Sequence, residues 1–385
     1  MEMTVGIVDG DTHMNEPPDL WRKRVPEKLR ARAPRVVDVS NDRQAWLFDG
    51  GKTATITPLC NAVGEAPINW KIFSKGYDDT FRAGAWDPAA RLADMDFDMT
   101  EVHVLYPTYA LSGARGFSKD REVQLACVRA YNDWLSEFAS HDPKRLIGVA
   151  ILPVTGVDDA IEEATRVRKL PGMRAVLASA WPNGSKHPKL DEDDRFWSAL
   201  EDLDLALDIH VGFDVGGEVE AGGEASDRGP DLLARITLSM LNEERQAVSM
   251  IPVLGHLILD GVLERHPRLR VGLAEVGAGW IPFFLEQTND NFKRHRFWTR
   301  CGLKALPSEY WFRQCFATFQ IDSYAVRNRD LVGVHTMMWS SDYPHTGADW
   351  PNSRSTIANQ MAGVPEAEQR LILRDNARRL YGIAS

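Results

Sequence analysis

Residues 4–13 read TVGIVDGDTH, a short apolar run that leads directly into two aspartates and a histidine. Residues 4–8 predict a first strand. Several of the apolar runs that follow are nearly continuous, which is typical of strands buried on both faces of a parallel sheet. The seven further predicted strands cover residues 102–106, 146–152, 174–178, 205–211, 269–274, 315–319 and 335–339.

Helical patterns lie between these strands, for example over residues 87–95, 121–139 and 158–169. Alternating strands and helices indicate an α/β fold, and eight alternations favour a closed (β/α)₈ TIM barrel. An open doubly wound sheet is the alternative, but no GxGxxG motif follows the first strand. We expect a single domain over residues 1–385, closed by an amphipathic helix at residues 366–381.

Two regions interrupt the alternation. The string WLFDGGKTATI, within residues 36–72, predicts two strands with Asp49-Gly50-Gly51 at the turn. We interpret it as part of a small β insertion after strand one, at approximately residues 22–75. The glycine- and acid-rich residues 212–229 follow the fifth strand, and they are either a lid or a surface loop.

The composition excludes several classes of protein. The formal net charge is −10 and no basic run stands out, so no nucleic-acid partner is expected. No run approaches the ~18 apolar residues of a membrane span. None of the four cysteines forms a CxxC pair, and no signal peptide is recognisable, so we expect reduced thiols in a cytoplasmic protein.

Four residues that could bind a metal ion stand at the ends of different predicted strands. Active sites of such barrels lie at the carboxyl ends of the strands. Asp11 and His13 are two residues apart, so their side chains point to the same side, while His210 ends the fifth strand and Asp342 follows the eighth. Two imidazoles and two carboxylates suit Zn²⁺ or Mn²⁺. The alternative for a histidine in an apolar strand is a hydrogen-bonded core residue.

Three motifs resemble one known family. They are DGDTHMNEPPDLW at residues 9–21, GVLERHPRLRVGLAEVGAGWIP at 261–282 and SSDYPH at 340–345. They are similar to the amidohydrolase-related family, the branch of the amidohydrolase superfamily that includes aminocarboxymuconate-semialdehyde decarboxylase and γ-resorcylate decarboxylase. The resemblance implies a (β/α)₈ barrel with one catalytic metal ion, supports the same four ligands, and implies a homodimer or larger homo-oligomer.

The sequence departs from this family at the end of strand six. The decarboxylases of the family have a histidine there that handles protons, whereas this chain has Glu275. Glu275 is therefore a candidate acid or base, an extra metal ligand or a partner that orients an imidazole, with a salt bridge as the structural alternative. His345, three residues after Asp342, is a candidate proton donor or substrate contact.

We expect an enzyme that acts on a small-molecule substrate. The first hypothesis is a metal-dependent hydrolase of a cyclic or aromatic carbonyl or carboxylate compound, in which the cation activates water, Asp342 accepts its proton, and Glu275 or His345 protonates the leaving group. One alternative is a non-oxidative decarboxylase, in which an acid protonates a ring carbon before CO₂ leaves. The other is a catalytically inactive barrel that serves as a binding protein.

Overall fold

The computed structural model describes residues 5–40, 43–51, 53–55, 63–64, 82–111, 113–185, 188–211, 213 and 241–384. Its strands, in chain order, are β1 (Val8–Met14), β2 (Arg35–Ser40), β3 (Arg43–Leu47), β4 (Thr53–Thr55), β5 (Val102–Pro107), β6 (Leu146–Ile151), β7 (Met173–Ala178), β8 (Ala206–His210), β9 (Val271–Ala274), β10 (Cys315–Phe319) and β11 (Met337–Trp339).

Strands β1 and β5 to β11 form one parallel sheet, in the order in which they occur in the chain. Two backbone hydrogen bonds join β1 to the segment that follows β11, from the Asp342 amide to the Asp11 carbonyl (3.0 Å) and from the His13 amide to the Tyr343 carbonyl (2.5 Å). The eight strands therefore form a nearly closed barrel with helices between them, and the predicted (β/α)₈ fold is confirmed.

The helices cover the outside of this barrel. They are α1 (Leu20–Arg24), α2 (Pro88–Asp98), α3 (Arg121–Ala139), α4 (Val157–Val167), α5 (Leu190–Leu203), α6 (Asn242–Leu259), α7 (Val262–Arg265), α8 (Ile281–Thr299), α9 (Pro307–Gln314), α10 (Ser323–Arg327), α11 (Arg329–Val332), α12 (Ser353–Gln360), α13 (Glu366–Arg370) and α14 (Asn376–Tyr381). No helix of the described ranges has the length and apolar character that crossing a bilayer requires.

Local sequence explains where the helices begin. The Asp120 side chain accepts hydrogen bonds from the first free amides of α3, which was predicted over the same residues. Asp87 does the same for α2, where Pro88 supplies a preset φ at the first helical position. The predicted closing helix at residues 366–381 is interrupted, because Leu371–Asp375 forms a π-helical segment between α13 and α14.

The first strand lies further along the chain than predicted. Residues 4–8 were expected to form it, but it runs from Val8 to Met14 and contains Asp9, Asp11 and His13. The prediction ended the strand at the first charged residue, whereas these polar side chains are buried inside the barrel rather than exposed after it. The eighth strand also starts later than residue 335, because Val334–Thr336 forms a 3₁₀ turn.

The predicted β insertion follows the first strand. Strands β2, β3 and β4 form a separate antiparallel sheet. Gly50 and Gly51, at the predicted turn, have φ values of 81° and 83°, a conformation that glycine adopts without steric cost. Apart from Phe213, the proposed lid or loop at residues 212–229 lies outside the described residues.

Candidate metal centre

Asp11 and His13 enter the barrel from β1. The pairing of β1 with β5 shifts register between Asp9 and Thr12, so that β1 carries a bulge. Bulges change the direction in which side chains point, and they are frequent beside active sites. Here the bulge brings Asp11 Oδ1 to 3.4 Å from His13 Nε2, with both side chains completely buried.

His210, the last residue of β8, completes a group of three donors. Its Nε2 atom lies 3.5 Å from Asp11 Oδ2, and the donor atoms of Asp11, His13 and His210 all lie within 4.8 Å of one another. Three buried donors from two distant strands are therefore close enough to share one metal ion.

The tautomer of His13 suits a metal ligand. Its Nδ1 atom lies 2.8 Å from the Pro107 carbonyl oxygen, which can only accept a hydrogen bond. The ring therefore donates through Nδ1–H, and the lone pair of Nε2 points toward Asp11 and Asp342. Histidine ligands are commonly oriented by such a bond from the second ring nitrogen.

Asp342 and His345 face His13 from the segment after β11. Asp342 Oδ1 lies 3.3 Å from His13 Nε2 and 2.8 Å from His345 Nδ1. The His345 ring stacks on the His13 ring at 4.1 Å. His13, Asp342 and His345 thus form a second group with metal-ligand spacing, which shares His13 with the first.

Glu275 follows β9 and faces His210. The Glu275 Oε2 and His210 Nε2 atoms are 3.5 Å apart, and the Glu275 amide donates a 2.8 Å hydrogen bond to Thr318 Oγ1. Glu275 and Asp342 have φ values of 58° and 62°. Such a conformation costs a residue other than glycine about 1–3 kcal/mol and is concentrated at functional sites.

The charges of these groups shift one another's titration. Burial raises the pKa of Asp11, but the His210 and His13 imidazoles outweigh it and hold that pKa below its usual range. Burial lowers the pKa of His210, whereas the carboxylates of Asp11, Glu275 and Asp342 raise it, to about 9. Burial raises the pKa of Glu275 to about 7, with a further contribution from Asp342.

The donor set fits a divalent cation. Within the part of the chain that the structure describes, both carboxylate oxygens of Asp11, Nε2 of His13 and both ring nitrogens of His210 are buried without a hydrogen-bond partner. Buried polar atoms are rarely left without one, because desolvation then goes uncompensated. A cation among them would satisfy several at once, and mixed nitrogen and oxygen donors suit Zn²⁺ or Mn²⁺.

All six residues predicted for the site lie in this one cluster, but Asp9 was missed. Its Oδ1 atom accepts hydrogen bonds from the amides of Ser341 (2.9 Å) and Asp11 (3.4 Å), and it therefore ties β1 to the segment that carries Asp342. Burial raises the pKa of Asp9 to about 8. The alternating spacing of Asp9, Asp11 and His13 was the signal that could have revealed it.

A buried polar layer lies beneath the cluster and was also missed. The Tyr106 hydroxyl donates to Asp208 Oδ2 at 2.8 Å and lies 3.0 Å from the hydroxyl of Tyr381 on α14. Gly272, on the neighbouring strand β9, leaves room for the Asp208 carboxylate, because a Cβ atom at this position would stand only 2.2 Å from Asp208 Oδ1. Sequence spacing gave no signal, because Tyr106 and Tyr381 are 275 residues apart.

Comparison with known proteins identifies the family. A family model described as Amidohydrolase matches residues 10–383. The 2-amino-3-carboxymuconate-6-semialdehyde decarboxylase of Dictyostelium discoideum is 25% identical over 293 residues, which cover 74% of this chain and 73% of that protein. The γ-resorcylate decarboxylase of Rhizobium sp. (strain MTP-10005) is 26% identical over 284 residues, which cover 68% of this chain and 78% of that protein.

Solved structures show the same fold. An amidohydrolase from Mycobacterium avium subsp. paratuberculosis K-10 superposes with a TM-score of 0.76 at 20% identity, covering 100% of this chain and 99% of that one. A 5-carboxyvanillate decarboxylase from Novosphingobium aromaticivorans, complexed with manganese, gives a TM-score of 0.61 at 18% identity, with 79% and 82% covered. With the family match over nearly the whole sequence, these findings show that the chain belongs to the amidohydrolase family of enzymes.

Proposed function

We propose that this enzyme is a metal-dependent, non-oxidative decarboxylase of a small aromatic or muconate-type acid. The observation that carries the proposal is the position of Glu275, a partly buried acid that lies 3.5 Å from His210 at the candidate metal centre and whose pKa is raised to about 7 by desolvation. The two relatives described above, which each cover about two thirds or more of the chain, are both named as decarboxylases. They favour decarboxylation over the hydrolysis that was the first hypothesis from the sequence.

The proposed cation ligands are Asp11, His13, His210 and Asp342. When bound, a divalent cation supplies a positive charge that anchors an anionic oxygen of the substrate and stabilises charge that develops there. The manganese in the 5-carboxyvanillate decarboxylase supports Mn²⁺ as the first ion to test, with Zn²⁺ as the second. The chain's own part is to hold His13 in the Nδ1–H tautomer, with Nε2 directed toward Asp11 and Asp342, where it would bind a cation.

Glu275 is the proposed proton donor. It would transfer its proton to the ring carbon that carries the carboxylate, after which the bond to that carboxylate breaks and its electron pair returns to the ring. The products are CO₂ and a ring that carries hydrogen in its place, so the reaction needs no oxidant. Solvent then returns the proton to Glu275, whose position after β9 makes it part of the strand-end face where barrel enzymes bind substrates.

His345 is proposed to orient Asp342. Its Nδ1 atom lies 2.8 Å from Asp342 Oδ1, and its Nε2 atom lies 3.4 Å from Thr108 Oγ1. Burial lowers the pKa of His345 to about 4, so the ring is neutral at physiological pH and donates a hydrogen bond without a charge. A neutral ring here leaves the carboxylate of Asp342 available to a cation.

Product analysis tests the proposed function. The metal-loaded enzyme would be incubated in D₂O with 2,6-dihydroxybenzoate, 5-carboxyvanillate and related acids, and separately with esters, lactones and amides. We expect release of CO₂ or bicarbonate from at least one acid, with deuterium at the carbon that lost the carboxylate. Hydrolytic products without CO₂ would instead support the hydrolase, and turnover of none by a metal-loaded enzyme would contradict decarboxylation of this class of acid.

A further inference from the structure

Arg91, on α2, is a completely buried arginine beside the candidate metal centre. Its guanidinium donates from Nε to the Gly84 carbonyl (2.5 Å) and from Nη2 to the His13 carbonyl (2.5 Å), and Nη1 lies 3.3 Å from His103 Nδ1. The guanidinium therefore spreads its donors over three separate segments of the chain.

Among the residues that the structure describes, Arg91 forms no ion pair. Its guanidinium nitrogens contact two backbone carbonyls, an imidazole and the Met14 sulfur, and its guanidinium carbon stands 4.4 Å from the centre of the Tyr343 ring. Burial lowers the pKa of Arg91 to about 10, so the charge is retained at neutral pH. The nearby Tyr343, Asp94 and Asp9 favour its charged form, but the hydrogen bonds of the guanidinium are made to uncharged acceptors.

The contacts of Arg91 converge on the backbone of the candidate ligands. The carbonyl that it binds belongs to His13, and the His13 amide donates to the Tyr343 carbonyl. Tyr343 directly follows Asp342, and its ring lies under the same guanidinium. Arg91 thus contacts both residues of the hydrogen bond that joins β1 to the segment after β11, through the His13 carbonyl and the Tyr343 ring.

His103 accepts a hydrogen bond that orients the guanidinium plane of Arg91. Because an arginine can only donate, Nδ1 of His103 accepts the bond from Arg91, and Nε2–H donates to Thr100 Oγ1 at 3.0 Å. A lysine could not reproduce this arrangement, since an ammonium group carries its three donors on one nitrogen atom rather than spread over a planar fork.

We infer that Arg91 is a positioning residue, which holds the His13 backbone and the Asp342–Tyr343 segment at the spacing that a shared cation requires. The inference rests on the proposed cation site, but it does not depend on which reaction the enzyme catalyses. Groups that orient metal ligands from outside typically contribute about 10–100-fold to metal affinity. We therefore expect the loss of Arg91 to change metal binding more than it changes folding.

The test compares two substitutions of Arg91 with the same two substitutions of Arg145. Arg145 also donates to two backbone carbonyls, those of Thr100 and Glu101, but these residues directly precede β5, at the opposite end of the strands. For R91K, R91M, R145K and R145M, the dissociation constants of Mn²⁺ and Co²⁺ would be measured by competition with a chelator. The visible absorption of the Co²⁺ proteins would report ligand geometry, and thermal unfolding with EDTA would report the fold.

We expect R91M to bind Mn²⁺ about 100-fold more weakly and R91K about 10-fold more weakly, both with altered Co²⁺ spectra. The Arg145 variants should keep the wild-type spectrum and affinity even where their unfolding temperature falls. If R91M does not fold, R91K decides the question, and failure of both to fold would assign Arg91 to folding instead. A folded Arg91 variant with wild-type metal affinity and a wild-type Co²⁺ spectrum would overturn the inference, while decarboxylation by the wild type would be unaffected. If the wild type bound no metal, both the inference and the proposed function would be overturned.

Discussion

At the scale of single residues, the candidate site consists of buried polar atoms, several of which have no hydrogen-bond partner among the described residues and are positioned to bind a ligand. The side chains of Asp11, His13 and His210 are polar but buried, and several of their donor atoms lack hydrogen-bond partners among the described residues. Their types and strand-end positions made them predictable from the sequence. Asp9 was missed although its spacing to Asp11 and His13 could have revealed it. Arg91 gave no such signal, because its contact with the His13 carbonyl joins residues 78 positions apart.

Replacement of His13 by alanine should abolish metal binding. The substitution removes the Nε2 donor that faces both Asp11 and Asp342. Elemental analysis of purified H13A should find no stoichiometric divalent metal. His256→Ala is the control. His256 lies on the outer helix α6 and pairs with Asp260, so its replacement should leave the metal content unchanged. A full complement of metal in H13A would rule out His13 as a ligand.

Glu275→Gln should separate metal binding from catalysis. Glutamine keeps the size of the side chain but cannot give a proton to carbon, so turnover should fall about 10²–10⁴-fold while the metal content stays at the wild-type level. The measurement is single-turnover release of CO₂ together with elemental analysis. Glu286→Gln, at an exposed position on α8, is the control. Undiminished turnover by E275Q would exclude Glu275 as the proton donor.

At the scale of the elements, the pattern of apolar residues predicts most strands and helices of the barrel, but not the bounds of β1, which carries Asp11 and His13. The strand at Cys315–Phe319 and the helix at Arg121–Ala139 have the predicted bounds, because the strand directly follows helix α9 and the helix begins at its Asp120 cap. Strand β1 does not, since its second half is polar and is stabilised by pairing with β5 and by the segment after β11. Contacts of this kind are invisible to a local pattern.

The cap of α3 should contribute measurably to stability. Asp120 accepts from the amides of Glu122 and Val123 and also contacts Arg32 at the surface. We expect D120A to lower the free energy of unfolding by about 1 kcal/mol. D120N keeps the cap acceptor and should lose only a few tenths, because the exposed ion pair contributes little. Equal losses in the two variants, measured by denaturant unfolding, would mean that the charge and not the cap is responsible.

At the scale of the whole molecule, the candidate metal centre lies where the barrel closes. Asp11 and His13 come from the first strand, His210 from the fifth, and Asp342 from the segment after the eighth. A shared cation would therefore join the two ends of the sheet across 331 residues of chain, at the place where two backbone hydrogen bonds connect β1 to the segment after β11. Chain closure and metal binding are thus expected to support each other.

Metal should accordingly stabilise the folded protein. A cation that binds only the native state at a free concentration 100 times its dissociation constant adds about 2.7 kcal/mol to the free energy of unfolding. Thermal unfolding should therefore shift upward with added Mn²⁺ or Zn²⁺ and return on addition of EDTA. H13A provides the control and should show no shift. An equal shift in H13A would place the stabilising ion elsewhere.

We propose above that four side chains, from two strands of the barrel and the segment after a third, share a single divalent cation. The most direct measurement is anomalous diffraction at the manganese absorption edge from crystals grown with Mn²⁺. We predict one strong peak within about 2.0–2.3 Å of donor atoms of Asp11, His13, His210 and Asp342. A peak at another place, or fully occupied protein with no peak among these four residues, would contradict it.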